Sequence, residues 1–255
     1  MGDDRYSVKG KNAVLSGAAG GIGVEVIEAL LKHGLDGIVL LDFDGKKLEA
    51  VRDQFRKQFP DRTVESKVVD VTKVKEIQES LDFAVQKLPS IDIILPFAGI
   101  LPTEESIENW DKIMAVNASG AYYMAKVYGD YMVDQEKGGS IVFVASIAGH
   151  TPSYPLPAAY GASKAAILSL RGNMSRMYGP HDIRVNSISP GFWETSMTDF
   201  TRETPLEDVF NERNPLHRYG QKGELSGAVM LLASDAGSYI NASDIMIDGG
   251  FVAKL

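Results

Sequence analysis

The stretch VLSGAAGGIGVEV, residues 14–26, places glycines at positions 17, 20, 21 and 23 between an apolar run and an amphipathic pattern. Glycine allows a tight turn and a close approach of the backbone to a pyrophosphate, and the N-terminus of a following helix offers free N–H groups. A strand, such a turn and a helix in this order predict a dinucleotide-binding unit. A tight turn that binds no ligand is the alternative when this stretch is taken alone.

The second apolar run, GIVLLD, ends in a carboxylate at Asp42, which follows Gly23 by 19 residues. A carboxylate about 20 residues after the glycine-rich turn holds the hydroxyls of an adenosine ribose. Asp42 would repel the 2′-phosphate of NADP, and Phe43 beside it carries no cation, so NAD is the expected cofactor. Asp44 is the alternative ribose partner, and a solvated turn residue is the non-functional alternative for Asp42.

A third carboxylate, Asp70, closes the next apolar run within SKVVDVT. At the end of a strand, this side chain can accept a hydrogen bond from an adenine amino group. It can equally cap a helix that begins after Thr72. The sequence leaves both roles open.

Short apolar runs alternate with helical patterns along the whole chain, which predicts parallel β-α-β construction. The runs that indicate strands are NAVLSG, GIVLLD, TVESKVVD, IDIILPFAG, GSIVFVAS, IRVNSISPG and DIMIDGG. The pattern GVEVIEALLKHG, ended by Gly34, and the pattern EIQESLDFAVQKL, stopped by Pro89, indicate helices. We expect one α/β domain over residues 1–255, a doubly wound parallel sheet of about seven strands with helices on both faces. Ligands should bind beyond the carboxyl ends of the strands.

Composition narrows the class of protein. The 255 residues are 44% hydrophobic and 24% charged, which fits a globular domain with a substantial core. A formal net charge of −8 gives no sign of a nucleic-acid-binding face. There is no cysteine, and the four histidines show no ligand spacing, so no disulfide and no bound metal is expected.

The termini and the hydropathy bear on location. MGDDRYSVKG is acidic and polar where a signal peptide would be basic and then apolar, and Tyr6 breaks the myristoylation pattern. No apolar run approaches the ~18 residues of a membrane span. We expect a cytoplasmic protein without a membrane partner. The C-terminal Ala253-Lys254-Leu255 is close to the Ser-Lys-Leu peroxisomal address, which keeps that location open.

The stretch PAAYGASKAA, residues 157–166, places Tyr160 and Lys164 four positions apart and therefore one turn apart on a helix. A phenol of pKa ~10 is protonated at neutral pH, and a nearby ammonium favours the phenolate. Lowering the pKa of the phenol by two to three units takes ~3–4 kcal/mol of differential stabilisation. The pair predicts a tyrosine that works as acid and base, whereas Tyr160 alone would more often be a packing residue.

Taken together in their order, these motifs resemble the short-chain dehydrogenase/reductase family. The resemblance rests on Gly17-x-x-x-Gly21-Ile22-Gly23, on Ser146, and on Tyr160-x-x-x-Lys164 placed 14 residues after that serine. It runs from residue 8 to the DGG at 248–250. It implies a Rossmann-like fold and hydride transfer between a nicotinamide cofactor and a secondary alcohol or its ketone.

The resemblance implies a role for each catalytic residue. Ser146 would hydrogen-bond the substrate oxygen, Tyr160 would be the acid or base, and Lys164 would bind the nicotinamide ribose and lower the pKa of the tyrosine. Asn117, in VNASG, would interrupt its helix and support a water that leads to the lysine.

The resemblance also implies a cofactor site. Pro190, Gly191 and Thr195 match a segment that cradles the nicotinamide carboxamide, while Ala98 and Gly99 allow a close approach to the cofactor. The complete expected set is Gly17, Gly21, Ile22, Gly23, Asp42, Asp70, Val71, Ala98, Gly99, Tyr160, Lys164, Pro190, Gly191, Trp193 and Thr195.

Several positions depart from the family pattern. Pro96 and Phe97 stand where two asparagines are usual. Two amide side chains are therefore missing, and we expect the cofactor to bind more weakly or with rearranged contacts there. Trp193 replaces a smaller branched residue and leaves the pocket roof undefined. Ser16 replaces a threonine and keeps its hydroxyl.

Residues 192–218 interrupt the strand–helix rhythm, and in this fold such an insertion covers the substrate. The expected substrate-binding residues are Ser146, His150, Tyr154, Tyr160 and Phe192, with Trp193 and Met197 as further lining. A secondary or cyclic alcohol or a polyol fits such a pocket. The resemblance also implies a homotetramer or homodimer, with helices around 105–135 and 158–178 at the interfaces.

Two other functions stay open from the sequence. One is an NADPH-dependent reductase of carbonyl or 3-oxoacyl substrates, which Asp42 disfavours. The other is a non-catalytic dinucleotide-binding regulatory protein. PFAG at 96–99 favours this alternative, whereas the complete Ser-Tyr-Lys set disfavours it.

Overall fold

One sheet of seven parallel strands organises the protein. The computed structural model describes residues 4–152, 154, 156–194 and 197–254. The sheet has the order β3-β2-β1-β4-β5-β6-β7 and consists of β1 (Asn12–Ser16), β2 (Gly37–Asp42), β3 (Thr63–Val68), β4 (Ile93–Pro96), β5 (Gly139–Val144), β6 (Ile183–Pro190) and β7 (Asp244–Ile247). All pairings are parallel, which confirms the predicted doubly wound sheet.

Helices connect the strands and cover both faces of the sheet. They are α1 (Gly21–Lys32), α2 (Gly45–Gln58), α3 (Val74–Lys87), α4 (Ile107–Ile113), α5 (Ala121–Gln135), α6 (Ala158–Tyr178), α7 (Pro205–Arg213) and α8 (Ser226–Ala233). A π-helical turn, Met114–Gly120, joins α4 to α5. After α1, Gly34 has a φ of +97°, a conformation that glycine adopts at no steric cost, as predicted for the end of this helix. None of the helices in the described ranges is long and apolar enough to cross a bilayer.

The sheet separates two apolar cores. Successive side chains of a strand point to opposite faces, so Leu15 joins the core beneath α1 and α8, whereas Val14 joins the core beneath α3, α5 and α6. Both side chains are fully buried. Because helices cover both faces, strand residues are apolar on both sides, which explains why the sequence shows continuous apolar runs instead of alternation.

The direction of the strand order reverses between β1 and β4, and this is where the glycine-rich turn lies. The Ser16 hydroxyl accepts a hydrogen bond from the Ala98 N–H at 3.4 Å, and the Phe97 N–H donates to the Ser16 carbonyl at 3.1 Å. Gly17 has a φ of +74°, and a Cβ atom there would lie 2.8 Å from the Ala98 nitrogen. Open α/β sheets bind ligands in the crevice at such a reversal.

A buried hydrogen bond joins α3 to α5 beside the second core. The Ser80 hydroxyl donates to the Ile77 carbonyl at 2.7 Å and lies 2.8 Å from the Tyr128 hydroxyl, which therefore donates to it. Tyr128 and Ser80 are fully buried.

We expect Tyr128→Phe to lower the free energy of unfolding by about 1 kcal/mol, because the variant leaves the Ser80 oxygen without its buried donor. Urea unfolding measures the change. The control is Tyr239→Phe, whose ring is fully exposed and whose loss should stay within about 0.5 kcal/mol. An equal loss in the two variants would contradict the role assigned to this bond.

Candidate active site

The N-terminus of α1 is free to bind an anion. Its N-cap residue, Gly20, provides no side-chain hydrogen bond, and the first turn contains no acidic residue. Within the described part of the chain, the N–H groups of Gly21, Ile22 and Gly23 have no acceptor. The positive end of the helix dipole and these free donors together form a site for a phosphate group.

Asp42 lies directly against the glycine-rich turn. Its carboxylate accepts hydrogen bonds from the Ala19 N–H at 2.9 Å and from the Asp44 N–H at 3.0 Å, one on each oxygen. Each oxygen keeps a further lone pair, so two fixed acceptors remain for hydroxyl groups. Asp44 instead caps α2 through the Lys47 N–H, so the structure favours Asp42 of the two predicted ribose partners.

Asp70 shapes the turn after β3 and does not cap α3. One of its oxygens accepts from the Thr72 N–H at 2.9 Å and from the Thr72 hydroxyl at 2.7 Å. Helix α3 begins at Val74, and its N-cap residue makes no side-chain bond. Of the two roles that the sequence left open, the helix cap is therefore wrong. The neighbouring Val71 is buried, and a Cβ atom at Gly120 would lie 2.7 Å from its methyl group.

Tyr160 and Lys164 lie one turn apart at the start of α6, as their spacing predicts. They are only 9% and 6% exposed. The Lys164 ammonium lies 5.7 Å from the centroid of the Tyr160 ring and donates to the Val144 carbonyl at 2.9 Å. A Cβ atom at Gly99 would lie 3.8 Å from the ammonium, so the segment after β4 and the end of β5 both contribute backbone beside this lysine.

Ser146 follows β5 and is held beside the tyrosine by a 3₁₀ turn. Its hydroxyl oxygen accepts the Ala148 N–H at 3.1 Å, and the serine lies near enough to Tyr160 to favour the charged form of the phenol. A Cβ atom at Gly149 would lie 2.8 Å from the backbone carbon of Lys164. Only glycine lets this turn pack so closely against the backbone of α6, and that contact places the serine at the tyrosine.

Burial shifts the proton equilibria of both residues. Loss of water raises the pKa of Tyr160, and the hydrogen bond from Ser146 opposes this increase. Loss of water also lowers the pKa of Lys164 to about 8. The sequence predicted a lowered pKa for the tyrosine through the ammonium. The protein's own residues give the opposite direction, because desolvation is the largest cause at both groups and disfavours both charged forms.

Asn117 lies within the π-helical turn, which is the helix interruption that the family resemblance implied. Its amide is buried, accepts the Ile100 N–H at 2.8 Å and donates to the Ile100 carbonyl at 3.0 Å. Its nitrogen also lies 3.3 Å from the Ser163 hydroxyl, which in turn donates to the Tyr160 carbonyl. The amide thereby links the backbone after β4 to the first turn of α6.

A cleft of about 1050 Å³, its open mouth included, lies beside these groups. Ser146, Tyr160 and Lys164 line it together with apolar and aromatic side chains. Phe192 stacks on Phe210 with ring centroids 3.8 Å apart. Further lining comes from Ile22, Phe97, Gly99, Leu101, Thr151, Tyr154, Leu156, Pro190, Gly191, Trp193, Met197, Thr198, Phe200, Arg213 and Phe251.

Comparisons with known proteins agree with this geometry. A family model described as Enoyl-(Acyl carrier protein) reductase matches residues 17–252. The sequence is 34% identical over 258 residues to sorbose reductase sou1 of Schizosaccharomyces pombe, covering 98% of each chain. The fold matches the crystal structure of a short-chain type dehydrogenase/reductase from Mycobacterium marinum with a TM-score of 0.91 and 32% identity, covering 97% of this chain and 98% of that one. The chain belongs to the short-chain dehydrogenase/reductase family.

A third match adds a related enzyme with ligands. The fold matches the crystal structure of a gluconate 5-dehydrogenase from Burkholderia cenocepacia in complex with NADP and tartrate, with a TM-score of 0.92, 27% identity and 98% coverage of each chain. This short-chain dehydrogenase/reductase is therefore an oxidoreductase that acts on alcohols and uses a nicotinamide dinucleotide.

The residues present fit such a cofactor. The free N–H groups of Gly21, Ile22 and Gly23 suit its pyrophosphate, and the Asp42 oxygens suit an adenosine ribose. The glycine at position 99 leaves the space beside the Lys164 ammonium open.

Not every predicted residue of this short-chain dehydrogenase/reductase reaches the cleft. His150 does not line it, because its Nε2 atom lies 3.1 Å from the Ser189 hydroxyl and 2.9 Å from the Asp244 carboxylate, towards β6 and β7. Trp193 lines the cleft, packs against Gly220 and is buried, and its indole N–H has no acceptor among the described residues. Thr195 lies outside the described residues.

Sequence reasoning missed several groups at the site. The Glu105 carboxylate accepts the Ala158 N–H at 2.8 Å and so caps α6 near the tyrosine. Phe210, Arg213 and Phe251 reach the cleft from α7 and from the C-terminal segment. The sequence signal for them was the presence of aromatic and charged residues within and after 192–218. The sequence pattern did not show which of these side chains point into the cleft.

We expect Lys164→Met to raise the free energy of unfolding at pH 7 by about 1–3 kcal/mol, because a buried ammonium with its pKa lowered to about 8 is poorly solvated. The folded pKa lies below the unfolded value, so as pH rises from about 8 to about 10.5 the folded wild type loses this proton first and gains stability. The difference in the free energy of unfolding between the variant and the wild type should therefore be smaller at about pH 9.5 than at pH 7.

Urea unfolding without added cofactor at the two pH values measures this effect. The matched control is Lys75→Met on α3, whose side chain is exposed and should show no such pH dependence. A gain of the same size at both pH values would show that the charge of Lys164 is not the cause.

Proposed function

We propose that this protein is an NAD-dependent oxidoreductase that interconverts a secondary alcohol of the polyol or sugar type and its ketone. The observation that carries the proposal is the contact of Ser146, Tyr160 and Lys164 within one cleft. The sorbose reductase and the gluconate 5-dehydrogenase to which the chain is similar are named for sugar-type substrates. The cleft combines apolar walls with these few polar groups, as small-molecule sites do.

In oxidation, the Tyr160 oxygen takes the proton of the substrate hydroxyl while the hydrogen on the same carbon leaves as hydride; in reduction, Tyr160 returns the proton. When bound, the oxidised nicotinamide supplies the hydride acceptor and a positive charge. Ser146 hydrogen-bonds the substrate oxygen, where charge changes during the reaction. Because burial raises the pKa of Tyr160, the phenolate needs nearby cations, and the Lys164 ammonium lies 5.7 Å from the centroid of the tyrosine ring.

The choice of NAD over NADP rests on Asp42. A 2′-phosphate placed at the ribose hydroxyls would meet this carboxylate, which is held in place by the Ala19 and Asp44 N–H groups. The nearby cation Lys47 is paired with Asp44 at 3.3 Å, and Phe43 is exposed and neutral. NADP in the related gluconate 5-dehydrogenase makes an NADPH-dependent carbonyl reductase the second candidate.

We expect Tyr160→Phe to lower kcat by about 10²–10⁴-fold, since the phenylalanine cannot exchange a proton with the substrate. NAD reduction in a screen of mannitol, glucitol and gluconate measures turnover, and calorimetric titration shows that NAD still binds. Tyr239→Phe, at a fully exposed position, is the control. A variant that keeps its rate would disprove the acid–base role. A wild type that turns over none of a broad set of alcohols and ketones would favour the regulatory alternative.

We expect Asp42→Ser to lower the ratio of kcat/KM for NAD to kcat/KM for NADP by at least about tenfold, or about 1.4 kcal/mol, because it removes both the ribose acceptor and the repulsion of a 2′-phosphate. Asp44→Ser is the matched control: serine can still cap α2 through the Lys47 N–H, and the ratio should not change. A wild type that already prefers NADP would overturn the cofactor assignment.

A further inference from the structure

Arg213 is a cation of the cleft that the proposed mechanism does not use. It is the last residue of α7, and its guanidinium carbon lies 4.8 Å from the centroid of the Phe251 ring. Phe251 contacts the ring of Phe192 edge-on with centroids 5.5 Å apart, so the guanidinium rests on an aromatic cluster that also lines the cleft. Stacking on an aromatic face orients a guanidinium without using its hydrogen-bond donors.

Within the part of the chain that the structure describes, this guanidinium has no counter-ion. Among the described residues that line the cleft, Lys164 and Arg213 carry positive charge and none carries a carboxylate. In the same ranges, no carboxylate oxygen lies within the 4.0 Å that defines an ion pair with Arg213. The protein as a whole has a formal charge of −8, which disfavours anions at long range, so an anionic substrate needs a local cation.

We propose that Arg213 binds a carboxylate of the substrate, so that the preferred substrates are hydroxy acids of the sugar-acid type and the corresponding keto acids. This assignment rests on the proposed oxidoreductase function. The planar guanidinium fork matches a carboxylate through two parallel hydrogen bonds, and stacking on Phe251 orients it although Arg213 is an exposed residue. A phosphate shares the anionic chemistry but carries a charge of about −1.5 to −2 at pH 7. Arg213, which carries one positive charge, fits the monoanion better.

The experiment compares three six-carbon substrates that differ only in the group at C1: D-gluconate, D-glucitol and D-glucitol 1-phosphate. NAD reduction gives kcat/KM for each with wild type, Arg213→Gln, Arg213→Lys and Arg202→Gln. Arg202 lies in the same segment, pairs with Glu194 at 3.9 Å and does not line the cleft, so its variant is the matched control. Titration of gluconate and glucitol into the NADH-bound enzyme, followed by tryptophan fluorescence, gives binding independently of turnover.

Arg213→Gln should lower the ratio of kcat/KM for gluconate to that for glucitol by at least tenfold and weaken gluconate binding similarly. Arg213→Lys should recover part of that loss, and Arg202→Gln should leave the ratio unchanged. Equal losses of kcat/KM for gluconate and glucitol would show that Arg213 only packs against the aromatic cluster. If the wild type prefers the phosphate ester and Arg213→Gln abolishes that preference, the group bound by Arg213 is a phosphate and not a carboxylate. If the wild type turns over no alcohol or ketone, the proposed function fails. The binding titration then tests the role of Arg213 separately. If gluconate binds and Arg213→Gln weakens that binding, the carboxylate role is supported. If the wild type binds gluconate no better than glucitol, the carboxylate role is overturned.

Discussion

The ammonium of Lys164 is charged at neutral pH although water is largely excluded from it, and this desolvation costs stability. Several parts of the site contact this residue. Among the described residues, it donates one hydrogen bond, to the Val144 carbonyl. Gly99 allows one backbone segment to approach the ammonium, and Gly149 packs against the backbone of Lys164 and so holds Ser146 at the tyrosine. The protein therefore carries a destabilising charge at a place where that charge supports a phenolate, a common compromise between stability and activity.

The features that the sequence predicted are those that depend on neighbours along the chain. GIVLLD corresponds to β2 residue for residue, and the glycine-rich turn, Asp42 and the Tyr160–Lys164 pair lie where their spacing placed them. Periodicity, turn chemistry and helix spacing are local properties, so one sequence is enough to read them. The other predicted strands end before their apolar runs do. In IDIILPFAG the backbone leaves the sheet after Pro96, and the last residues of the run form the cleft.

The features that the sequence missed depend on contacts between distant segments. Glu105 reaches the first turn of α6, Arg213 reaches Phe251, and His150 turns to β7 instead of the cleft. No spacing rule connects these pairs. The direction of the Tyr160 pKa was also missed, because the sequence shows which charges are neighbours but not how much water the fold removes.

The π-helical turn at Met114–Gly120 has a consequence for how this chain can diverge. A π turn holds one residue more than an α turn, and each residue of an α-helix turns by about 100°. Loss of one residue here would straighten the helix and swing α4 round its axis relative to α5, taking the Asn117 amide away from Ile100. The number of residues in this segment therefore matters to the position of the Asn117 amide as much as their type does, whereas surface loops tolerate insertions and deletions.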